Sequence, residues 1–295
     1  MTGADACLMY DIQNILTNGY LDENPRPKYK DGTPAHTISV NHVFRKYDLS
    51  EGDFPICTLR PMAWKTAIKE ILTIYQKPTN NLSEMREMGV TWWDDWDIGD
   101  GTIGQRYGAT VKRYDLIKKL IEDIQKDPYG RRKVVSLWQE TDLRETPGLA
   151  PCAFLTIWNV RKGTDGNEYL DMCMIQRSGD MLTASGAGGI NEIQYAALLM
   201  MIARHCGKRE GVFTHFVANE QIYDRHKENA KELLGRARMA QNDRMRNLNR
   251  YGKEPNAPWL WLNPEKTNFY WFTIDDFEMK DYEPMKPQLK FELGI

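Results

Sequence analysis

One stretch of this chain has no hydrophilic face. Residues 192–206 read as a helix in which Ile193, Tyr195, Ala196, Ala197, Leu198, Leu199, Met200, Met201 and Ile202 put apolar groups nearly all round. A surface helix needs only one apolar stripe, so a helix of this kind has to be central in the fold. Strand-like runs occur at 36–40, 134–138, 154–158, 169–175 and 211–217, and amphipathic helices are predicted over 6–18, 63–75 and 115–126. No Ser/Gly-rich or charge-block linker divides the 295 residues, which predicts one large α/β or α+β domain over 1–295. The Arg- and Asn-rich segment after Arg236, about 236–256, reads as a solvated helix or surface excursion. The tail from Trp259 on is too apolar for a disordered terminus and is predicted to pack.

Composition removes several function classes. With 39 basic and 41 acidic residues the net charge is -2, which gives no electrostatic footprint for DNA or an anionic membrane. Five scattered cysteines without Cys-x-x-Cys spacing argue against a disulfide framework or a zinc site, so no metal is expected. No apolar run approaches the roughly 20 residues that span a bilayer, and a cytoplasmic protein is expected. The glycines of 101–108 match neither a phosphate-cradling loop nor a dinucleotide fingerprint.

The loop Pro147-Gly-Leu-Ala-Pro-Cys-Ala-Phe154 delivers Cys152 to the start of a strand, where a turn fixes a thiol's position. Arg131-Arg132 follows one turn and Arg177 ends another strand; if the strands pair, guanidinium groups collect around the sulfur and favour the nucleophilic thiolate. For an arbitrary cysteine a small buried hydrophobe is the better reading. Glu70 borders the apolar stripe of helix 63–75, a setting that raises a carboxyl pKa and suits proton transfer, although a solvated helix glutamate is the default. Asn191, at the start of the central helix, is by default an N-cap; the sharper reading is an amide that reads the edge of a base. Trp92, Trp93 and Trp96 make an apolar wall of the kind a flat heteroaromatic ligand needs, or simply core. Arg26, alone on a polar loop, has no role of its own to read.

Leu149-Ala-Pro-Cys152, Pro128-Tyr-Gly-Arg-Arg132, Gln176-Arg-Ser-Gly-Asp180 and Ile222-Tyr-Asp-Arg-His226, in this order, resemble the folate-dependent, cysteine-nucleophile thymidylate synthase family over almost the whole chain. The resemblance implies a three-layer α/β fold with a large bent mixed sheet, paired sheet to sheet in an obligate homodimer. It implies reductive methylation of dUMP, with 5,10-methylenetetrahydrofolate giving carbon and hydride. Cys152 would attack C6 of uracil; Glu70, Asn191, Asp180 and Tyr107 would complete the catalytic group. Arg26, Arg177 and Ser178 would hold the phosphate, joined by Arg131 and Arg132 from the partner subunit. Gln176, Gly179, Asp180, Asn191, Gln221 and Tyr223 would contact the nucleotide. Ala63, Trp93, Trp96, Asp180 and Gly294 would contact the folate.

Three departures stand out. Gln221 occupies the place where the family usually has a His, Gly189-Ile190 replaces the usual Pro-Phe in a longer loop, and Ala153 follows the cysteine in place of His. They keep open a pyrimidine-nucleotide (dUMP or dCMP) 5-hydroxymethylase, in which water captures the methylene. A non-catalytic nucleotide- or RNA-binding protein is the reading from another class. Leu149, Trp93 and the amide at Asn191 favour methylation of uracil.

Overall fold

The computed structural model describes residues 1–251 and 256–295, with backbone only for 246, 247, 250 and 251. Seven strands make the main sheet: β1 (Tyr20–Leu21), β2 (Thr37–Asp48), β3 (Lys133–Ser136), β4 (Ala153–Lys162), β5 (Glu168–Gln176), β6 (Gly179–Asp180) and β7 (Arg209–Tyr223). Their order is β1-β2-β7-β5-β4-β3, with β6 beside β7. The β5–β7 and β6–β7 pairs are parallel and the others antiparallel, so the sheet is mixed, as expected. A separate hairpin joins β8 (Trp259–Leu262) to β9 (Phe277–Lys280).

The helices are α1 (Gly3–Asn18), α2 (Trp64–Ile71), α3 (Leu82–Glu87), α4 (Gly108–Arg113), α5 (Leu116–Lys126), α6 (Glu140–Glu145), α7 (Ile190–His205) and α8 (Lys227–Tyr251). The helix that is apolar nearly all round is α7: every residue from Glu192 to Ala203 is buried. It lies on β5 and β7 and carries α2 on its far side, giving the layers sheet, α7 and α2. Among the described residues no helix is long and apolar enough to cross a membrane.

The sheet has two unlike faces because side chains alternate along each strand. Tyr47, Trp158, Met172, Met174, Phe213 and Val217 point into the core. On the other face Phe44 pairs with Phe216, Phe216 with Ile175, and Ile175 with Leu155. This apolar row crosses four strands, and Phe44 is 62% exposed at its end.

Several sequence expectations need correction. β2 and β7 run well beyond 36–40 and 211–217, because polar residues such as Asn41, Lys46 and Asn219 to Gln221 pair in the ladder although they break the apolar pattern. Helix 63–75 is not α-helical throughout: α2 gives way to a π-helical turn over Leu72–Gln76. The glycine-rich loop begins as a second π-helical turn, Met181–Ser185. Arg236 is not solvated. It is 2% exposed and donates to the carbonyls of Leu59 (3.0 Å) and Pro287 (2.9 Å), fixing α8 to the body. Of the excursion expected over 236–256, residues 252–255 lie outside the described residues. The tail packs as expected: Phe269, Phe272 and Phe277 are buried, and Gln76 Nε2 donates to the carbonyls of Phe269 and Phe272 at 2.6 and 3.0 Å.

Candidate active site

Cys152 sits immediately before β4, and its neighbours are set by the β4–β5 pairing. Ala153 faces Gln176, and Arg177, the next residue, donates its backbone N–H to the Cys152 carbonyl at 2.9 Å. The Arg177 side chain folds back over the loop, donating to the carbonyls of Pro151 (3.0 Å) and Ala150 (2.8 Å). Its Nη2 stands 3.6 Å from Cys152 Sγ. The sequence expectation of a thiol made acidic by its cations holds only in part. Burial pushes the Cys152 pKa up, and Arg177 alone pulls it down without overcoming that.

The reason is topological. Lys133 pairs with Trp158 and Ser136 with Leu155, so Arg131 and Arg132 lie at the end of β3 away from Cys152. Seven residues of extended chain at ~3.3 Å each separate the levels of Arg132 and Cys152, roughly 23 Å. Both arginines are exposed, and neither gathers at the sulfur of its own chain.

From Cys152 a circuit of contacts returns to its starting point. The Cys152 N–H donates to the Tyr107 hydroxyl at 3.2 Å. Tyr107 has a positive φ of 46°, a strained setting for a non-glycine residue, and its ring meets Trp93 edge to face at 4.9 Å. Trp93 Nε1 donates to Glu70 Oε1 at 2.8 Å, and Gln194 Nε2 donates to Glu70 Oε2 at 2.7 Å. Asn191 Nδ2 donates to Gln194 Oε1 at 3.2 Å, Gln176 Nε2 donates to Asn191 Oδ1 at 3.3 Å, and Gln176 adjoins Arg177. Burial raises the Glu70 pKa to about 7 against the hydrogen bonds from Trp93 and Gln194.

Asn191 is not an N-cap. Gly189 holds that position and α7 begins at Ile190, which leaves the Asn191 amide free of capping duty. Gln176 Nε2 also donates to the Ser178 carbonyl at 3.0 Å. Beyond Gln176 lies His215, with Nε2 3.1 Å from Gln176 Oε1 and Nδ1 2.9 Å from Glu192 Oε1. Sequence reasoning missed Gln194 and His215. Gln194 carried a signal, lying one helical turn from Asn191; His215 is a polar residue in the inward alternation Phe213, His215, Val217.

Asp180 ends β6, with Oδ1 buried and without a hydrogen-bond partner and His226 Nδ1 3.9 Å away. Burial raises its pKa against the pull of His226. β6 sets Gly179 opposite Glu220 and Asp180 opposite Gln221. Tyr223 lies within electrostatic reach of Asp180, Cys152 and Arg26, and burial lifts its pKa to about 12. A methyl group at Gly294 would meet the Tyr223 ring at 2.7 Å, so the chain's last residues lie against this side of the site. Trp96 meets Trp93 edge to face at 5.7 Å, and Ala63 is exposed at the start of α2.

Comparison with known proteins agrees with this geometry. The family model for thymidylate synthase matches residues 9–295. A thymidylate synthase of Lactococcus lactis subsp. cremoris is 51% identical over 297 residues, covering 100% of both chains. One from Streptococcus pneumoniae is 47% identical over 300 residues, again covering 100% of both. The solved thermostable thymidylate synthase A from Bacillus subtilis superposes with a TM-score of 0.84 at 33% identity, covering 99% of each chain. A thiol ahead of a strand, a buried carboxyl and an amide joined by one run of contacts, in a chain matched over its full length by these relatives, leave one assignment: the chain belongs to the thymidylate synthase family, and it is a methyltransferase.

Proposed function

We propose that this chain, as one catalytic unit, methylates dUMP to dTMP with Cys152 as nucleophile. The observation that carries the reading is the closed circuit from Cys152 through Tyr107, Trp93, Glu70, Gln194, Asn191 and Gln176 back to Arg177. Cys152 adds to C6 of uracil, which makes C5 a nucleophile. Asn191 offers an acceptor to N3–H and a donor to O4. Glu70, with a pKa near the working pH, holds and moves the proton at the base's carbonyl side. Arg26, Arg177, Ser178 and the partner's Arg131 and Arg132 grip the phosphate, and Gln221 and Tyr223 meet the sugar. Gln221 replaces an imidazole with an amide that still donates and accepts.

The orphaned, buried Asp180 Oδ1 and the Trp93–Trp96 wall fit a flat, hydrogen-bonding pterin. Ala63 and Gly294 flank that space. When bound, 5,10-methylenetetrahydrofolate supplies the one-carbon unit and the hydride. Leu149 and Trp93 keep water from the same space, which favours methylation over hydroxymethylation.

The homodimer is part of this reading. The apolar row Phe44, Phe216, Ile175 and Leu155 is self-complementary in the way a two-fold sheet-to-sheet interface needs. Arg131 and Arg132, remote from their own Cys152, then have a site to complete across it. A cytoplasmic location fits a chain that acts on nucleotides.

Two experiments test the assignment of roles. Asn191→Asp should shift preference toward dCMP, because a protonatable group suits cytosine N3 and its amino group. Unchanged selectivity, read as kcat/KM for each nucleotide, would refute the base-reading role. Glu70→Gln should lower kcat by roughly 10²–10⁴-fold and remove an ionisation near pH 7 from the kcat profile. Stability gives a second readout. The folded state holds this proton more tightly than the unfolded chain, so the wild type should lose stability relative to Glu70→Gln as pH rises from 4.5 through about 7, and no further above it. Melting curves at pH 5 and pH 8 that shift in parallel for the two proteins would contradict the raised pKa.

A further inference from the structure

The hydrogen bonds behind the base-reading amide all run one way. His215 Nε2 faces Gln176 Oε1 at 3.1 Å, and Gln176 Nε2 donates to Asn191 Oδ1 at 3.3 Å. Asn191 Nδ2 donates to Gln194 Oε1 at 3.2 Å, and Gln194 Nε2 donates to Glu70 Oε2 at 2.7 Å. Three amides thus stand head to tail between a histidine and a carboxylate.

Their direction is not free. The Ser178 carbonyl can only accept, and it lies 3.0 Å from the Gln176 amide nitrogen. Turning that amide over would set oxygen against oxygen. Gln176 Oε1 therefore faces His215, which must carry a hydrogen on Nε2. At the other ring edge Nδ1 is 2.9 Å from Glu192 Oε1, close enough that one hydrogen lies between them. Burial, the largest influence, lowers the pKa of this ring and Arg45 adds to that, against the Glu192 carboxylate. Whichever of Nδ1 and Oε1 holds that hydrogen, Nε2–H is still required. Glu192 is itself fixed: Oε2 accepts from the Gly188 N–H at 2.7 Å, and Arg45 Nη1 lies 3.4 Å from Oε1. Arg45 is anchored in turn by Asp11 at 2.7 Å, by Glu220 and by the Ser185 carbonyl at 3.0 Å.

We propose that His215, held by Glu192 and Arg45, is a positioning residue that acts with the Ser178 carbonyl on the Gln176 amide to fix which end of the Asn191 amide meets the base, and so selects uracil over cytosine. This rests on the proposed base-reading role of Asn191. With Oδ1 turned to Gln176 and Nδ2 to Gln194, the remaining lone pair and the remaining N–H occupy set positions that suit uracil N3–H and O4. The same amide turned over would offer the reverse pair, which suits cytosine N3 and its 4-amino group. A buried run of amides whose donors and acceptors are paired holds a single arrangement, and here its first member, Gln176, is held from two sides, by the Ser178 carbonyl and by a histidine outside the pocket.

Nitrogen-15 NMR of the ring in the nucleotide-free protein tests the direction without any substrate. Nε2 is expected to be protonated; a ring carrying hydrogen on Nδ1 alone overturns the proposal. Two substitutions test the consequence. His215→Gln places an amide N–H where Nε2–H was, whereas His215→Leu places none, and both lose the bond to Glu192. The ratio of dUMP to dCMP affinity, measured by calorimetry, should fall at least about tenfold in His215→Leu and stay within about threefold of wild type in His215→Gln. Equal falls in the two variants, or none in His215→Leu, would assign the histidine to stability alone. Wild-type protein that does not bind dUMP would instead sink the base-reading role, and the NMR result tells the two failures apart.

Discussion

Replacing Cys152 by serine should cut turnover by at least about 10⁴-fold while dUMP still binds. The serine hydroxyl fills nearly the same volume and can keep the contact with Arg177, so phosphate and base recognition are untouched. What is lost is the nucleophile. Arg177 pulls the thiol's pKa down against burial, but a single guanidinium at 3.6 Å offers no base that could take a proton from a hydroxyl. The partner arginines sharpen the test. If Arg132 serves the other subunit, an inactive Cys152→Ser chain mixed with an inactive Arg132→Glu chain will regain about a quarter of wild-type activity after subunit exchange. Half the dimers are then mixed, and each carries one intact site. Activity retained by Cys152→Ser would show the nucleophile to be misassigned, and a mixture that stays dead would place Arg132 elsewhere.

Phe216→Arg should turn the protein into a monomer with no more than about 1% of the activity. Phe216 is flanked across the strands by Phe44 and Ile175 on the sheet face that points away from the core. A guanidinium there can be solvated in the lone chain, so the fold survives. In a two-fold interface the charge is buried once per copy, at a cost of several kcal/mol each. The dissociation constant should rise at least about 10³-fold. Activity falls with it because each site then lacks the partner's arginines. Sedimentation and turnover are the measurements; an intact dimer at micromolar concentration with full turnover would remove the sheet face from the interface.

Much of the site was legible in the sequence because it is made of residues whose chemistry is unusual where they stand. A thiol ahead of a strand, a carboxyl beside an apolar stripe and an amide at a helix start each announce a choice between a bland role and a sharp one. Other features depended on pairing that local pattern does not carry. The polar half of β7 was missed because Glu220 is buried against Arg45, a residue far away in sequence. Arg236 read as solvated because its acceptors are backbone carbonyls of distant segments. The acidity of Cys152 was overstated since cations close in sequence are not close in space when they sit at opposite ends of paired strands. His215 looked like one more member of an apolar strand, and only its neighbours on Gln176 and Glu192 mark it out.

The two π-helical turns carry a consequence for numbering. One, Leu72–Gln76, follows directly on α2, which bears Glu70, and the other, Met181–Ser185, follows directly on Asp180. A π-turn accommodates one residue more than an α-turn, and each of these opens into loop on its far side, at Lys77 and at Gly186. Insertions and deletions between relatives can therefore be taken up at these points while the pocket keeps its dimensions. An alignment that allows its gaps there will keep Asn191 and its counterparts in step, and one that forbids them will drift by a residue along α7.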